Sequence, residues 1–101
     1  MSSEDRVSEI DLEEMEALVE DGAFLVDCRE DEELDDGTIE GFTHWPLSRI
    51  DDFKSEVPDD KPIVIYCRSG RRSIKAGQMV SNWTDQKIYS LAGGYLGYAG
   101  E

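Results

Sequence analysis

The sequence predicts an α/β domain of three layers: a central, mainly parallel sheet of about five short strands flanked by helices. Three observations carry this. Two apolar runs of strand length, Ala23 to Cys28 and Ile63 to Tyr66, lack polar–apolar alternation, so both of their faces are expected to be covered. Segments with apolar residues at helical spacing lie between the strand-like runs, an order that argues for parallel strands with helices on both sides. The chain has 101 residues, 39% of them apolar, and a chain of this size buries about two-thirds of its unfolded surface, enough for one core.

Residues 1–5 are polar and are expected to be disordered, leaving residues 6–101 as one domain. Arg6 to Ile10 suits a first short strand. Asp11 has the character of a helix N-cap, with Glu14 three residues later completing a capping box. Leu12, Met15, Leu18 and Val19 then recur at helical spacing until Gly22 ends the helix. Ala23 to Cys28 is the second strand, followed by a charged, turn-rich stretch from Arg29 to Gly41.

Phe42 to Leu47 suits a short strand closed by Pro46, and Asp51 to Ser55 suits a helical turn or two. Ile63 to Tyr66 is the next strand. Ser73 to Trp83 fits a helix with Ile74, Ala76, Met79, Val80 and Trp83 facing inward, and Lys87 to Leu91 is the last strand.

Composition narrows the function. The chain holds 24 Asp and Glu against 10 Lys and Arg, a formal net charge of −14. Lysine occurs only at positions 54, 61, 75 and 87, and the carboxylates are spread along most of the chain. This is the pattern expected of a salt-adapted protein, since at molar salt the Debye length falls to roughly 3 Å and self-repulsion is screened. Recruitment of a basic partner is the alternative reading of the same surface. Nucleic acid is not expected as a ligand.

No apolar window is long enough for a membrane span, and the first residues lack the features of a secretion signal, so a cytoplasmic protein without membrane association is expected; a monomer is expected as well. Cys28 and Cys67 are too few for a disulfide framework, and a single histidine, His44, gives no zinc-site spacing. Chemistry without metal or cofactor is expected.

The most informative segment is Cys67-Arg68-Ser69-Gly70-Arg71-Arg72-Ser73. A cysteine at the end of a buried strand, on a tight loop that opens into a helix, meets inward-pointing N–H groups and the positive end of the helix dipole. Both favour the thiolate, the nucleophilic form. Three of the chain's ten cations, Arg68, Arg71 and Arg72, lie beside it. The combination suits an anionic nucleophile that meets an anionic substrate. Cys67 and Asp27-Cys28-Arg29 both fall at carboxyl ends of strands, where ligand sites of parallel sheets lie.

Four segments together resemble the rhodanese-like family over about Ser8 to Gly97. Leu25-Val26-Asp27-Cys28-Arg29-Glu30 is similar to the family's Asp-Val-Arg strand end, which leads into an acidic helix. Gly37-Thr38-Ile39-Glu40-Gly41 through Pro46-Leu47 is similar to its Gly-His-Ile-x-Gly-Ala…Pro-Leu segment. Val64 to Ser73 is close to its active-site signature, and Leu91-Ala92-Gly93-Gly94 to its terminal Leu-x-Gly-Gly.

The resemblance implies a rhodanese-like fold and sulfur transfer from a small anionic donor, such as thiosulfate or a persulfide, to a thiol, cyanide or protein acceptor. It implies that Cys67 carries the sulfur as a persulfide. The backbone amides of residues 68 to 72 would cradle the terminal sulfur, among them those of Ser69 and Gly70. Arg72 would direct its guanidinium into or beside the loop, Arg68 and Arg71 would steer the donor, and Ser73 would open the helix and order the loop. Asp27 and Arg29 are implied as structural support.

The sequence departs from the family pattern at Thr38, where histidine is usual, and at His44-Trp45, where Asn-Ile is common. It lacks the tryptophan after Gly93-Gly94 and has Tyr95 and Tyr98 nearby. His44 is expected to pack at a strand end. Cys28 stands where valine is usual and is expected to be a small buried hydrophobe, the alternative being a resolving thiol for Cys67. Because strand side chains alternate faces, Asp27 and Cys28 cannot both face the site.

A cysteine-dependent phosphatase or arsenate reductase is the rival enzyme class. Its signature places five residues between cysteine and arginine, whereas four separate Cys67 from Arg72, and the position of the phosphatase arginine is Ser73. A non-catalytic interaction module and a dedicated sulfur carrier are the remaining alternatives.

Overall fold

The computed structural model describes residues 6–100; the segment expected to be disordered, residues 1–5, lies outside them. Five parallel strands form one sheet: β1 (Val7–Ile10), β2 (Phe24–Asp27), β3 (Thr43–His44), β4 (Ile63–Tyr66) and β5 (Ile88–Leu91), in the order β1-β5-β4-β2-β3. The helices are α1 (Leu12–Glu20), α2 (Arg71–Val80) and α3 (Gly94–Tyr98). Two 3₁₀ segments, Asp31–Asp36 and Leu47–Glu56, complete the fold.

The two apolar runs pair with each other at the centre. Phe24, Leu25, Val26 and Asp27 lie abreast of Ile63, Val64, Ile65 and Tyr66. Every residue of β4 is buried, as its unbroken apolar run requires. One face of the sheet packs Val26, Cys28, Ile63, Ile65, Cys67 and Ile88 against Ala76 and Val80 of α2 and Ile50 of the second 3₁₀ segment. The other face packs Ile10, Leu25, Val64, Tyr66 and Leu91 with Met15 of α1. These are the predicted three layers.

The capping box at Asp11 is present in both directions, with the Asp11 side chain accepting from Glu14 N at 2.8 Å and Glu14 accepting from Asp11 N at 3.1 Å. Several elements differ from expectation. The strand expected over Phe42 to Leu47 is only Thr43–His44, because beyond it the backbone turns through Pro46 into the 3₁₀ segment. The acidic stretch after Arg29, turn-rich in the residue reading and helical by resemblance, forms a 3₁₀ segment.

The helix expected over Ser73 to Trp83 runs from Arg71 to Val80. Gly70, at φ +107°, lets the chain turn directly from the loop into the helix, two residues earlier than expected. At the other end the Arg6 guanidinium takes the carbonyls of Ser81, Thr84 and Gln86 at 2.8–3.0 Å, holding the chain in a turn where the helix is expected to continue. Ile74, Met79 and Trp83 are only partly buried; the fully buried stripe of α2 is Ser73, Ala76, Gly77 and Val80. Helix α3 has no counterpart in the sequence reading.

Candidate active site

Cys67 follows β4 directly, at the carboxyl end of the central strand, and α2 begins four residues later. Its sulfur accepts the Gly70 N–H at 3.1 Å and lies 3.6 Å from Ser73 Oγ. Ser73 lies in the first turn of α2, where the backbone N–H groups face the loop. No acidic residue occupies that first turn, so the dipole faces the sulfur uncompensated.

These contacts pull the Cys67 thiol down to about 4. The largest cause is a hydrogen bond from the Cys28 side chain; burial opposes it, and the Ser73 hydroxyl, Ser73 amide and Gly70 amide add to it. Cys28 moves the other way, held protonated by its bond to Cys67, by burial and by the neighbouring negative sulfur. The two thiols are thus pushed in opposite directions, Cys67 toward the charged form and Cys28 toward the protonated one.

Ser90, buried on β5, stands behind Ser73 with the two hydroxyl oxygens 2.6 Å apart. Each hydroxyl carries one proton, and Ser73 Oγ also lies 3.2 Å from Gly70 O. When Cys67 is a thiolate, Ser73 can donate to sulfur and accept from Ser90. When Cys67 is a thiol, Ser73 can return its proton to Gly70 O.

The loop is braced from outside by the chain's last turn. Tyr95 N donates to Cys67 O at 2.8 Å and Leu96 N to Arg68 O at 3.1 Å. That approach requires glycine at position 94, which has φ +54°: a Cβ there would overlap Cys67 O, Arg68 O and Arg68 C. The Leu91-Ala92-Gly93-Gly94 segment is therefore part of the site's frame.

The three arginines separate. Arg68 and Arg71 are exposed at the loop rim, with Ser69, and form no ion pair among the described residues. Arg72, expected to aim into or beside the loop, grips Glu33 through two hydrogen bonds of 2.7 Å. This pair holds the Glu33 carboxyl down to about 2, with the Arg72 hydrogen bond as the first cause. Arg72 remains close enough for the Cys67 charge to act on it.

Asp27 and Arg29 lie at the end of β2, both buried. Asp27 accepts from the Arg29 guanidinium at 2.8 Å and from the Arg29 backbone N–H at 2.9 Å. Arg29 continues to Gly37 O at 2.6 Å and stacks over Tyr95, 4.6 Å from the ring centre. Neither touches Cys67; they tie the acidic 3₁₀ segment and α3 to the sheet. His44 sits on β3 with Nε2 2.7 Å from Arg29 O, a strand-end contact in which Nε2 carries the proton.

Two residues of the site, Glu33 and Ser90, escape the sequence reading, and a third enters it only by resemblance. Glu33 stands in an acidic cluster and is not separable from its neighbours, although Glu30 and Glu33 have capping-box spacing and the Glu33 carboxylate accepts the Glu30 N–H at 3.0 Å. Ser90 is a small polar residue in an apolar strand, a weak signal. Gly94 was visible only through the family resemblance. Among the described residues no group of three metal-ligating side chains converges, and no helix is long and apolar enough to cross a membrane.

The chain is similar to known proteins along most of its length. The Rhodanese-like domain family matches residues 11–101. The chain is 35% identical over 95 residues to a sulfurtransferase of Allochromatium vinosum, covering 92% of this chain and 89% of that one. It is 34% identical over 83 residues to the thiosulfate sulfurtransferase GlpE of Pseudomonas syringae, covering 82% and 78%. An uncharacterized protein of Bacillus subtilis, YqhL, is 37% identical over 79 residues, with 78% of this chain spanning 63% of it. Among solved structures, the human single-domain sulfurtransferase TSTD1 superimposes with a TM-score of 0.75 at 25% identity, covering 90% of this chain and 94% of that one. With this fold, this loop and these relatives, the chain belongs to the rhodanese-like domain family.

Proposed function

We propose that the protein is a sulfurtransferase that carries sulfane sulfur as a persulfide on Cys67. The observation that carries the reading is the placement of the Cys67 sulfur: it lies just past the end of β4, met by the Gly70 amide at 3.1 Å and by the first turn of α2. Relatives named sulfurtransferases support it.

With thiosulfate as donor, the Cys67 thiolate attacks the outer sulfur and the sulfur–sulfur bond breaks, with sulfite leaving as a dianion. The negative charge moves one atom outward, to the terminal sulfur of the persulfide. Loop amides and the helix dipole offset that charge. An acceptor such as cyanide or a thiolate then takes the terminal sulfur, and Cys67 returns to its thiolate. Arg68 and Arg71 offset the repulsion between a dianionic donor and a chain of net charge −14. Arg72 contributes charge from its place against Glu33, and Asp27 and Arg29 hold the surrounding loops.

The loop length argues against phosphate as substrate. Four residues separate Cys67 from Arg72, one fewer than the phosphatase signature requires, and Arg72 is turned to Glu33 rather than free to clasp a tetrahedral oxyanion.

Intact mass after incubation with thiosulfate in molar salt tests the proposal, with Cys67→Ser as control. The expected result is a gain of one sulfur atom, removed by cyanide and absent from the variant, whose circular dichroism matches the parent. Sulfur loading that persists in Cys67→Ser overturns the assignment of Cys67. No gain from thiosulfate, but a gain from a protein persulfide, would restrict the reading to a protein-fed carrier.

A further inference from the structure

The two cysteines stand side by side. Along β2 and β4, Phe24 N donates to Pro62 O at 2.8 Å, and Phe24 lies abreast of Ile63, the residue after that acceptor. Cys28 N donates to Tyr66 O at 2.9 Å in the same manner, which places Cys28 abreast of Cys67, one step beyond the Asp27–Tyr66 pair. Both thiols belong to the cluster under α2, so they project from the same face, while Asp27 points to the other. Neighbouring strands run about 4.8 Å apart, inside the roughly 7 Å limit between Cα atoms for a disulfide. Both cysteines are free.

We propose that Cys28 is a resolving thiol for Cys67: when the Cys67 sulfur carries a leaving group, Cys28 attacks it and closes an internal disulfide. From the persulfide, the Cys28 sulfur bonds to Cys67 Sγ, the bond from Cys67 Sγ to the outer sulfur breaks, and the Cys28 proton leaves with that sulfur as hydrosulfide. The two cysteines lose two electrons and the sulfane sulfur gains them. From the sulfenic acid that a hydroperoxide would form on Cys67, the same attack expels water.

The surroundings make this specific. Cys28 is fully buried, so the sulfur of Cys67 is the electrophile within its reach. Beside an unmodified Cys67, the neighbouring sulfur and burial push the Cys28 thiol up and disfavour its nucleophilic form. Once Cys67 becomes divalent, the charge that opposed ionisation of Cys28 moves outward or disappears. The pair thus behaves as a safety catch: a persulfide without an acceptor is discharged as sulfide, and an oxidised Cys67 is trapped in a reducible form.

The persulfide route rests on the sulfur-transfer reading above; the hydroperoxide route does not, so the two can fail separately. The full chain, reduced, is treated with one equivalent of hydrogen peroxide, quenched with an alkylating agent, and analysed by non-reducing intact mass and peptide mapping. The expected product is a monomer lighter by two hydrogen atoms, with Cys28 and Cys67 peptides joined and released by dithiothreitol. Cys28→Val and Cys28→Ser are expected to gain oxygen atoms on Cys67 instead.

Oxygen addition to the parent protein at the rate of Cys28→Val, or a disulfide only between chains, overturns the proposal. In a second arm the parent is loaded with sulfane sulfur and left without acceptor. Release of one hydrosulfide per chain with disulfide formation supports the proposal, provided that Cys28→Val retains its persulfide. A stable persulfide in both overturns the persulfide route. Failure to load, with the peroxide cross-link intact, overturns the transfer reading and leaves the resolving role of Cys28 standing.

Discussion

Glu33 and Arg72 meet through two parallel hydrogen bonds of 2.7 Å, joining the acidic 3₁₀ segment after β2 to the first turn of α2. The planar guanidinium matches the carboxylate fork, a geometry a lysine could not reproduce. The pair fixes the far side of the cysteine loop, and it sets the arginine's distance from the sulfur.

Because the Glu33 carboxyl is held down to about 2, below its unfolded value, the pair stabilises the fold at pH values above that unfolded value, and the contribution is lost as pH falls toward about 2. Allowing for partial exposure, Glu33→Gln is expected to cost on the order of 1–2 kcal/mol at neutral pH. Urea denaturation of parent and variant at neutral pH and near pH 2 measures this. The gap should close in acid. Arg72→Ala should show a similar loss, and a double-mutant cycle should show the two coupled. Arg72→Ala should also slow sulfur transfer through the charge it removes.

The Cys67 thiolate should form at unusually low pH. With the sulfur held down to about 4, its alkylation rate is expected to be flat from about pH 5 to about pH 8. An ordinary thiol would gain nearly tenfold per pH unit over that range. Cys28→Val removes the neighbour that contributes most to holding that sulfur down, so its alkylation profile should shift toward higher pH. Thiolate absorbance in the ultraviolet provides an independent titration.

Gly94 has no room for a side chain. Gly94→Ala would force Cβ onto Cys67 O and Arg68 O in a left-handed backbone conformation. The expected cost is roughly 2–4 kcal/mol, with weakening of the Tyr95 and Leu96 bonds that brace the loop. Thermal unfolding measures the first effect. A rise in the pH at which Cys67 becomes alkylatable, as the loop amides lose their aim, measures the second.

A chain of net charge −14 should be stabilised by salt. Thermal midpoints are expected to rise from dilute to molar sodium chloride as self-repulsion is screened to a Debye length of roughly 3 Å. A flat or falling curve would favour the reading in which the acidic surface recruits a basic partner.

The sequence alone determined the layers and the location of the chemistry. Apolar runs at 23–28 and 63–66 marked strands covered on both faces, because continuous burial leaves no polar alternation to read. The Cys67–Ser73 segment identified a thiolate at a helix start, because strand, loop and helix are contiguous there and short-range physics suffices. Tertiary structure decided which charges meet and which side chains lie abreast. Glu33 finds Arg72 across 39 positions of sequence, and many other carboxylates were equally available on composition. Cys28 faces Cys67 because the register of β2 on β4 places it there, and a slip of one residue would turn it to the opposite face. Helix α3 forms against the loop, its Tyr95 and Leu96 amides spent on loop carbonyls, and so short a helix has little stability apart from that contact. Local pattern is written along the chain; pairing between distant segments depends on how the sheet assembles.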